Sequence, residues 1–140
     1  MTDARITRLA GAIAEAKPLR DVALYELVEV GERGLLGEVI RLDGDVATIQ
    51  VFEETTGLSL GERVVRTGRS LTTRLGPGLL GSILDGVGRP LEGLADRTGD
   101  FIEPGAMLPT LNPETTWSFE ATVEAGGSVA EGDVIGTVEE

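Results

Sequence analysis

The sequence predicts a mainly β protein: a small N-terminal six-stranded β-barrel, a short helical connector, and a partial, β-rich, barrel-sandwich-like segment at the end. Three observations carry this. Glycine fills 20 of 140 positions, about twice the usual ~7%, which suits many tight turns. Short runs rich in β-branched residues recur between those glycines. The pair Leu35–Leu42 and Val46–Phe52 flanks Asp43-Gly44-Asp45, and aspartate and glycine tolerate the positive φ that a tight hairpin turn demands.

Taken in order, Arg5 to Ala10 is the first expected strand and Val22–Val30 the second, closed by Gly31. The hairpin supplies the third and fourth. Arg63–Arg66 and Leu71–Leu75, punctuated by Gly61 and Gly68, supply the fifth and sixth. Six short segments spaced by turns suit a small closed barrel. The character changes at Gly76-Pro77-Gly78. Leu79–Asp85 carries apolar residues at i, i+1, i+4 and i+5, which suits one to two helical turns; Gly86 to Pro90 breaks it. Leu91–Thr98 reads as another short helix ending at Gly99. Prolines 104, 109 and 113 mark an irregular connector. Trp117–Val123 and Asp133–Val138 are again strand-like, and a piece of two or three strands is marginal alone. The expected division is a barrel at 1–75, a connector at 76–104 and a final segment at 105–140.

Composition excludes several functions. The chain has 12 basic and 24 acidic residues, a net charge of −12. Phosphate-backbone binding depends on Lys and Arg releasing counterions, so nucleic acid is disfavoured, as is an anionic membrane surface. No apolar run approaches the ~20 residues needed to span a bilayer, and Met1 to Arg5 lacks the apolar stretch of a secretory signal. Without cysteine there is no disulfide framework, and a cytoplasmic setting fits best.

The residue types that are missing are as informative. With neither His nor Cys, the usual zinc sites and Ser-His or Cys-His pairs cannot form. Lys17, followed by Pro18, is the sole lysine, and no glycine-rich cradle leads up to it, so a P-loop is absent. Gly76-Pro77-Gly78-Leu79-Leu80-Gly81 precedes a predicted helix as phosphate cradles do, but it has neither the lysine nor the spacing, and a connector is the better reading. The carboxylate pairs Asp43/Asp45, Glu53-Glu54 and Glu139-Glu140 read as a turn and solvated strand ends; Asp43-Gly44-Asp45 lacks the later oxygen ligands of a calcium loop. The run Val123 to Gly136 resembles one half of a biotinyl/lipoyl-type sandwich, but the carrier lysine of that family has no counterpart after residue 17. No catalytic, cofactor-binding or metal-binding residue is therefore assigned.

Three stretches together resemble a known family. Gly37–Asp45, Gln50–Leu58 and Gly61-Glu62 are similar to the N-terminal barrel of the catalytic A subunit of V/A-type rotary ATP synthases and ATPases. Leu75–Leu80 and Asp85–Leu91 continue the match, and Leu71 to Leu91 also resembles the F-type subunits and their secretion-system relatives. Trp117-x-Phe119-x-x-Thr122-Val123 through Gly136-Thr137-Val138 resembles the bulge insertion of the A subunit, which the F-type counterpart lacks. Departures occur at Gly11–Ala14 and Lys17–Leu19, where the family usually shows other residues, and at Gly88, often glutamine. The resemblance covers about residues 5 to 140. It implies a segment that helps organise an alternating A/B hexamer through a crown of barrels, with its bulge touching the peripheral stalk, on the cytoplasmic side and peripheral to the membrane. It further implies that the P-loop, the ATP/ADP and magnesium site and the ion-coupled chemistry belong to the rest of a longer polypeptide, so that this segment alone is inactive and ends partway through the bulge. Two other classes compete: a biotinyl/lipoyl-like carrier without its lysine, and an oligonucleotide-binding barrel, which the negative charge and the five aromatic residues disfavour.

Overall fold

A computed structural model describes residues 4–140; the readings that fall on residues 1–3 lie outside the described part. Two compact units are present. One comprises residues up to Thr72 together with Arg97–Met107, and the other Thr73–Asp96 with Leu108–Glu140.

The first unit is a closed antiparallel barrel. Its strands are β1 (Ala4–Ala10), β2 (Ile13–Lys17), β3 (Glu26–Val30), β4 (Leu35–Asp43), β5 (Val46–Val51) and β6 (Arg63–Ser70). They follow the order β1-β2-β5-β4-β3-β6 and close through the β6–β1 pair. Closure removes the free edges that an open sheet of this size would present.

Alternation selects the core. Ala47, Ile49 and Val51 of β5, Ala14 and Ala16 of β2, Ala4 and Ile6 of β1, and Val28 and Val30 of β3 are buried together. A six-stranded barrel has a narrow bore, and the alanines opposite Ile49 and Ile6 let it fill without overpacking. Leu19 and Val22, from the loop after β2, join this cluster.

The six-stranded count holds, but its membership differs from the sequence reading. Ile13–Lys17 is a strand that the sequence reading passes over, and Leu71–Leu75 is unpaired. Ile-Ala-Glu-Ala-Lys has no β-forming signature of its own; pairing with β1 and β5 makes it a strand. The expected Val22–Val30 strand is shortened to β3. A turn closes over Ala23–Glu26, with the Glu26 N–H donating to the Ala23 carbonyl at 3.2 Å, and Tyr25 adopts φ 65°. Strand β6 outruns Arg63–Arg66 because a bulge around Gly68, at φ 72°, lets it pair Val28↔Arg66 and then Glu26↔Ser70.

The β4–β5 hairpin forms as read. Asp43 pairs with Val46, leaving Gly44-Asp45 as a two-residue loop. Gly44 has φ 62° and Asp45 does not share the positive sign, the φ pattern of a type II′ turn with glycine first. The peptide between Lys17 and Pro18 is cis.

In the second unit the expected helix at Leu79–Asp85 is not formed. Gly78 and Gly81 take φ 97° and 79°, which no helix accommodates, so the apolar residues there sit in turns. Helix α1 (Leu91–Thr98) forms as expected. Glu92 lies in its first turn and Arg97 in its last, each at the end its charge favours. Gly99 follows at φ 74°, the left-handed cap position. Strands β7 (Phe119–Ala121) and β8 (Gly136–Val138) pair antiparallel, Phe119↔Val138 to Ala121↔Gly136. Both are shorter than the strand-like runs that contain them. The Gly136 backbone lies against the Phe119 ring, leaving no room for a side chain.

Candidate functional site

Two polar constellations are built into the fold, one in each unit. The first closes an end of the barrel. Glu26 shares the inward parity of Val28 and Val30 on β3 and is buried, whereas Arg66, in phase with Val64 on β6, is exposed, so the pair lies where the buried rows reach the surface. The Glu26 side chain is only 5% exposed. Arg66 Nε donates to Glu26 Oε1 at 2.8 Å and Nη2 to Oε2 at 3.0 Å, a bidentate fork. The N–H of Gly68 also donates to Oε1 (3.1 Å), and the N–H of Ala23 to Oε2 (3.1 Å). Arg66 Nη1 donates to the Arg20 carbonyl at 3.1 Å. The guanidinium fork holds the Glu26 carboxyl below its usual range; burial opposes this, and the two backbone N–H groups add to the lowering. Four donors converge on one carboxylate, which ties the loop before β3 to the bulge of β6. The sequence carried a signal for this, an acidic residue in phase with Val28 and Val30, but not its partner 40 residues away.

The second constellation is Asp85-Gly86-Val87-Gly88-Arg89. Asp85 Oδ1 accepts from the N–H of Val87 (3.0 Å) and of Arg89 (2.9 Å), and Oδ2 accepts from Arg89 Nε at 2.7 Å. The Asp85 N–H returns to the Arg89 carbonyl at 3.0 Å, and Leu84 bridges Pro90. Burial pushes the Asp85 carboxyl up, but the Arg89 and Val87 donors outweigh it and the net shift is downward. Gly88, at φ 84°, presents its Cα to the hydroxyl of Thr73 so closely that a side chain would collide. The Thr110 hydroxyl donates to its carbonyl at 2.8 Å.

The residues singled out in the sequence are dispersed. Lys17 is exposed at the end of β2. Glu53 accepts from the N–H of Leu36 (3.2 Å) and of Gly105 (2.9 Å), which fastens the Arg97–Met107 segment to the barrel wall. Gly105 lies so close to the Arg33 carbonyl that only glycine fits. This contact is beside Leu36, which is buried yet outside the core cluster and explains part of the apolar character on both faces of β4. Glu54 accepts from the N–H and hydroxyl of Thr56 at 3.1 and 2.7 Å, and these bonds hold its carboxyl below the usual range. Asp43 and Asp45 are exposed beside the hairpin tip. Among the described residues no three His, Cys, Asp or Glu side chains group as metal ligands.

The glycine-rich loop tests the phosphate-cradle idea directly. The N–H groups of Gly78 and Leu80 both point at one acceptor, Glu140 Oε1, at 2.6 and 3.1 Å. A loop whose converging donors hold a carboxylate, with no lysine in it, does not fit a nucleoside triphosphate.

Exposed apolar residues mark candidate contact surfaces. On the barrel, Leu24, Tyr25, Ile40 and Leu42 are exposed around one region, where the Tyr25 N–H donates to the Val39 carbonyl at 2.8 Å. Ile40 is the extra residue of a bulge between the Val39↔Ile49 and Arg41↔Thr48 pairs. The surface expected from the sequence, Glu38 to Phe52 with Arg63 to Leu75, is not contiguous, because β3 separates β4 from β6.

The fold thus defines a small closed-barrel unit and a second unit whose two stretches, Thr73–Asp96 and Leu108–Glu140, flank the Arg97–Met107 segment of the first in sequence. Residues 6–68, nearly the whole barrel, match the ATP synthase alpha/beta family, beta-barrel domain. The chain is 50% identical to the A subunit of the A-type ATP synthase of Pyrococcus abyssi over 136 residues, 97% of this chain and 13% of that one. Against its counterpart in Halobacterium salinarum it is 50% identical, covering 96% of this chain and 23% of the relative. The V-type ATP synthase alpha chain of Anaeromyxobacter sp. is 52% identical over 94% of this chain and 23% of its own length. The assembled ATPase EscN of the enteropathogenic E. coli type III secretion system matches in structure with a TM-score of 0.58 and 30% identity, over 63% of this chain and 21% of EscN. The chain thus spans less than a quarter of the length of these relatives. No helix among the described residues is long and apolar enough to cross a membrane.

Proposed function

We propose that this chain is the N-terminal assembly segment of the catalytic A subunit of a V/A-type ATP synthase or ATPase, which couples ATP synthesis or hydrolysis to proton or sodium transport. The observation that carries the reading is the 50% identity to the archaeal A subunits over 97% of the chain, continuous across both units and not confined to the barrel. In this reading the barrel packs beside those of the B subunit, and the second unit meets the peripheral stalk, in a cytoplasmic sector peripheral to the membrane. ATP or ADP with magnesium binds elsewhere in the parent polypeptide, so the segment alone turns over no ATP. The exposed Leu24, Tyr25, Ile40 and Leu42 are the side chains offered for the barrel contact, and clustered exposed apolar residues are what interfaces cover. Co-expression with the cognate B subunit, followed by sedimentation at concentrations on the order of ten micromolar, tests it. A shared boundary that Tyr25→Asp and Ile40→Asp abolish is expected. A shared boundary unaffected by both variants would refute the assigned face, and independent boundaries for the parent chain would refute assembly through the barrel.

A further inference from the structure

The tripeptide Leu-Asp-Gly occurs twice, as Leu42-Asp43-Gly44 and Leu84-Asp85-Gly86, and these are the chain's only two Asp-Gly steps. An aspartyl-glycyl bond is the most open of aspartyl bonds to backbone rearrangement, since glycine has no side chain to shield the amide nitrogen that attacks. Identical preceding residues give the two steps closely similar local chemistry. Any large difference between them is then imposed by the fold.

The fold treats them oppositely. Asp85 is held by three donors: two backbone N–H groups on Oδ1 and the Arg89 guanidinium on Oδ2 at 2.7 Å. Its side chain is 16% exposed. Its carboxyl carbon is fixed in place and kept as the carboxylate, the form from which water cannot leave. Asp43 is the last residue of β4 and exposed, and no hydrogen bond or ion pair reaches its carboxylate among the described residues. Gly44 faces open space, with nothing within 4 Å of where a side chain would begin.

We propose that Asp43–Gly44 is a site of aspartate isomerisation in the folded protein, and that the hydrogen-bonded loop of Asp85 protects the second step. The Gly44 amide nitrogen loses its proton and attacks Cγ of Asp43. A C–N bond forms, the carboxyl C–OH bond breaks, and one water leaves, giving a cyclic succinimide. Water then adds back at either ring carbonyl. Opening at the side-chain carbonyl restores aspartate, and opening at the main-chain carbonyl leaves the chain running through the side chain as isoaspartate. Net composition is unchanged. The product has an additional methylene in the backbone at the residue whose pairing with Val46 sets the two-residue hairpin. It therefore loosens the end of β4 against β5, while the Leu19 N–H bonded to the Asp45 carbonyl at 2.8 Å holds the far side of the loop.

The test is incubation of the full chain in mildly acidic buffer. It is followed by peptide mapping, with electron-transfer fragmentation and isoaspartyl methyltransferase labelling to locate isoaspartate. Conversion at Asp43 should clearly exceed that at Asp85, whose carboxylate is held by three hydrogen bonds while that of Asp43 is free to meet the next amide nitrogen. In concentrated urea the ratio should fall to near one, and Asp43→Glu should abolish the signal from its peptide. Equal conversion in the folded chain, faster conversion at Asp85, or a ratio that urea leaves unchanged would each overturn the proposal.

Discussion

Replacing Glu26 by alanine should destabilise the barrel more than any other single loss of a carboxylate in it. The side chain is 5% exposed, and its removal strands the N–H groups of Ala23 and Gly68 and the Arg66 fork. A typical hydrogen bond contributes about 0.5–1.5 kcal/mol net, so the loss of all four predicts roughly 2–6 kcal/mol. At about 4–8 °C per kcal/mol for a domain of this size, the melting temperature should fall by roughly 8 °C or more. A pH series separates this from a packing defect. The carboxyl of Glu26 sits below its usual 4.5 in the folded chain. Its stabilisation is therefore full above 4.5 and is lost as pH falls through the lower folded value. Thermal melts by far-ultraviolet circular dichroism should show a wide gap between the parent and Glu26→Gln at neutral pH. The gap should close as the buffer is taken below the ordinary carboxylate range. A Glu26→Ala chain that melts with the parent, or a Glu26→Gln gap that does not narrow in acid, would refute the argument.

Two glycines separate conformational strain from steric collision. Gly44→Ala meets open space and suffers only from its φ of 62°, so it should cost about 1 kcal/mol in a denaturant titration. Gly105→Ala adds a collision with the Arg33 carbonyl to a φ of 76° and should cost at least about 2–3 kcal/mol in the same measurement. Asp85→Ala frees the Val87 and Arg89 amides, and hydrogen exchange at those two positions should accelerate while β1 to β6 exchange as before. Glu140→Gln should weaken the hold on Gly78 and Leu80, because a charged acceptor binds an N–H more strongly than an amide oxygen does; their amide protons should shift upfield.

Much of the barrel was legible because its signals are local. Asp43-Gly44 specifies its own turn, and β4 and β5 carry enough β-branched residues to declare themselves. Strand β2 was not legible, since Ile-Ala-Glu-Ala-Lys becomes a strand only by filling the gap between β1 and β5, where Ala14 and Ala16 are small enough for the bore. The helical spacing at Leu79–Asp85 misled for the converse reason: its periodicity is real, but the backbone at Gly78 and Gly81 takes a hand that a helix excludes.

Features that need no partner in space could be read from the residues alone: the β class, the hairpin, helix α1, and the resemblance carried by contiguous motifs. The absence of His, Cys and a lysine-bearing glycine cradle is of the same kind, since a missing residue type excludes chemistry wherever the chain goes. Which carboxylates hold something was settled by the folded arrangement. Glu26 finds Arg66 across 40 residues, Glu53 finds Gly105 across 52, and Glu140 finds Gly78 across 62, while Asp43 and Asp85, within identical tripeptides, receive opposite environments. Hydrogen bonds of this reach depend on where closure of the barrel and the turns of the second unit bring donors together, and no local pattern encodes that.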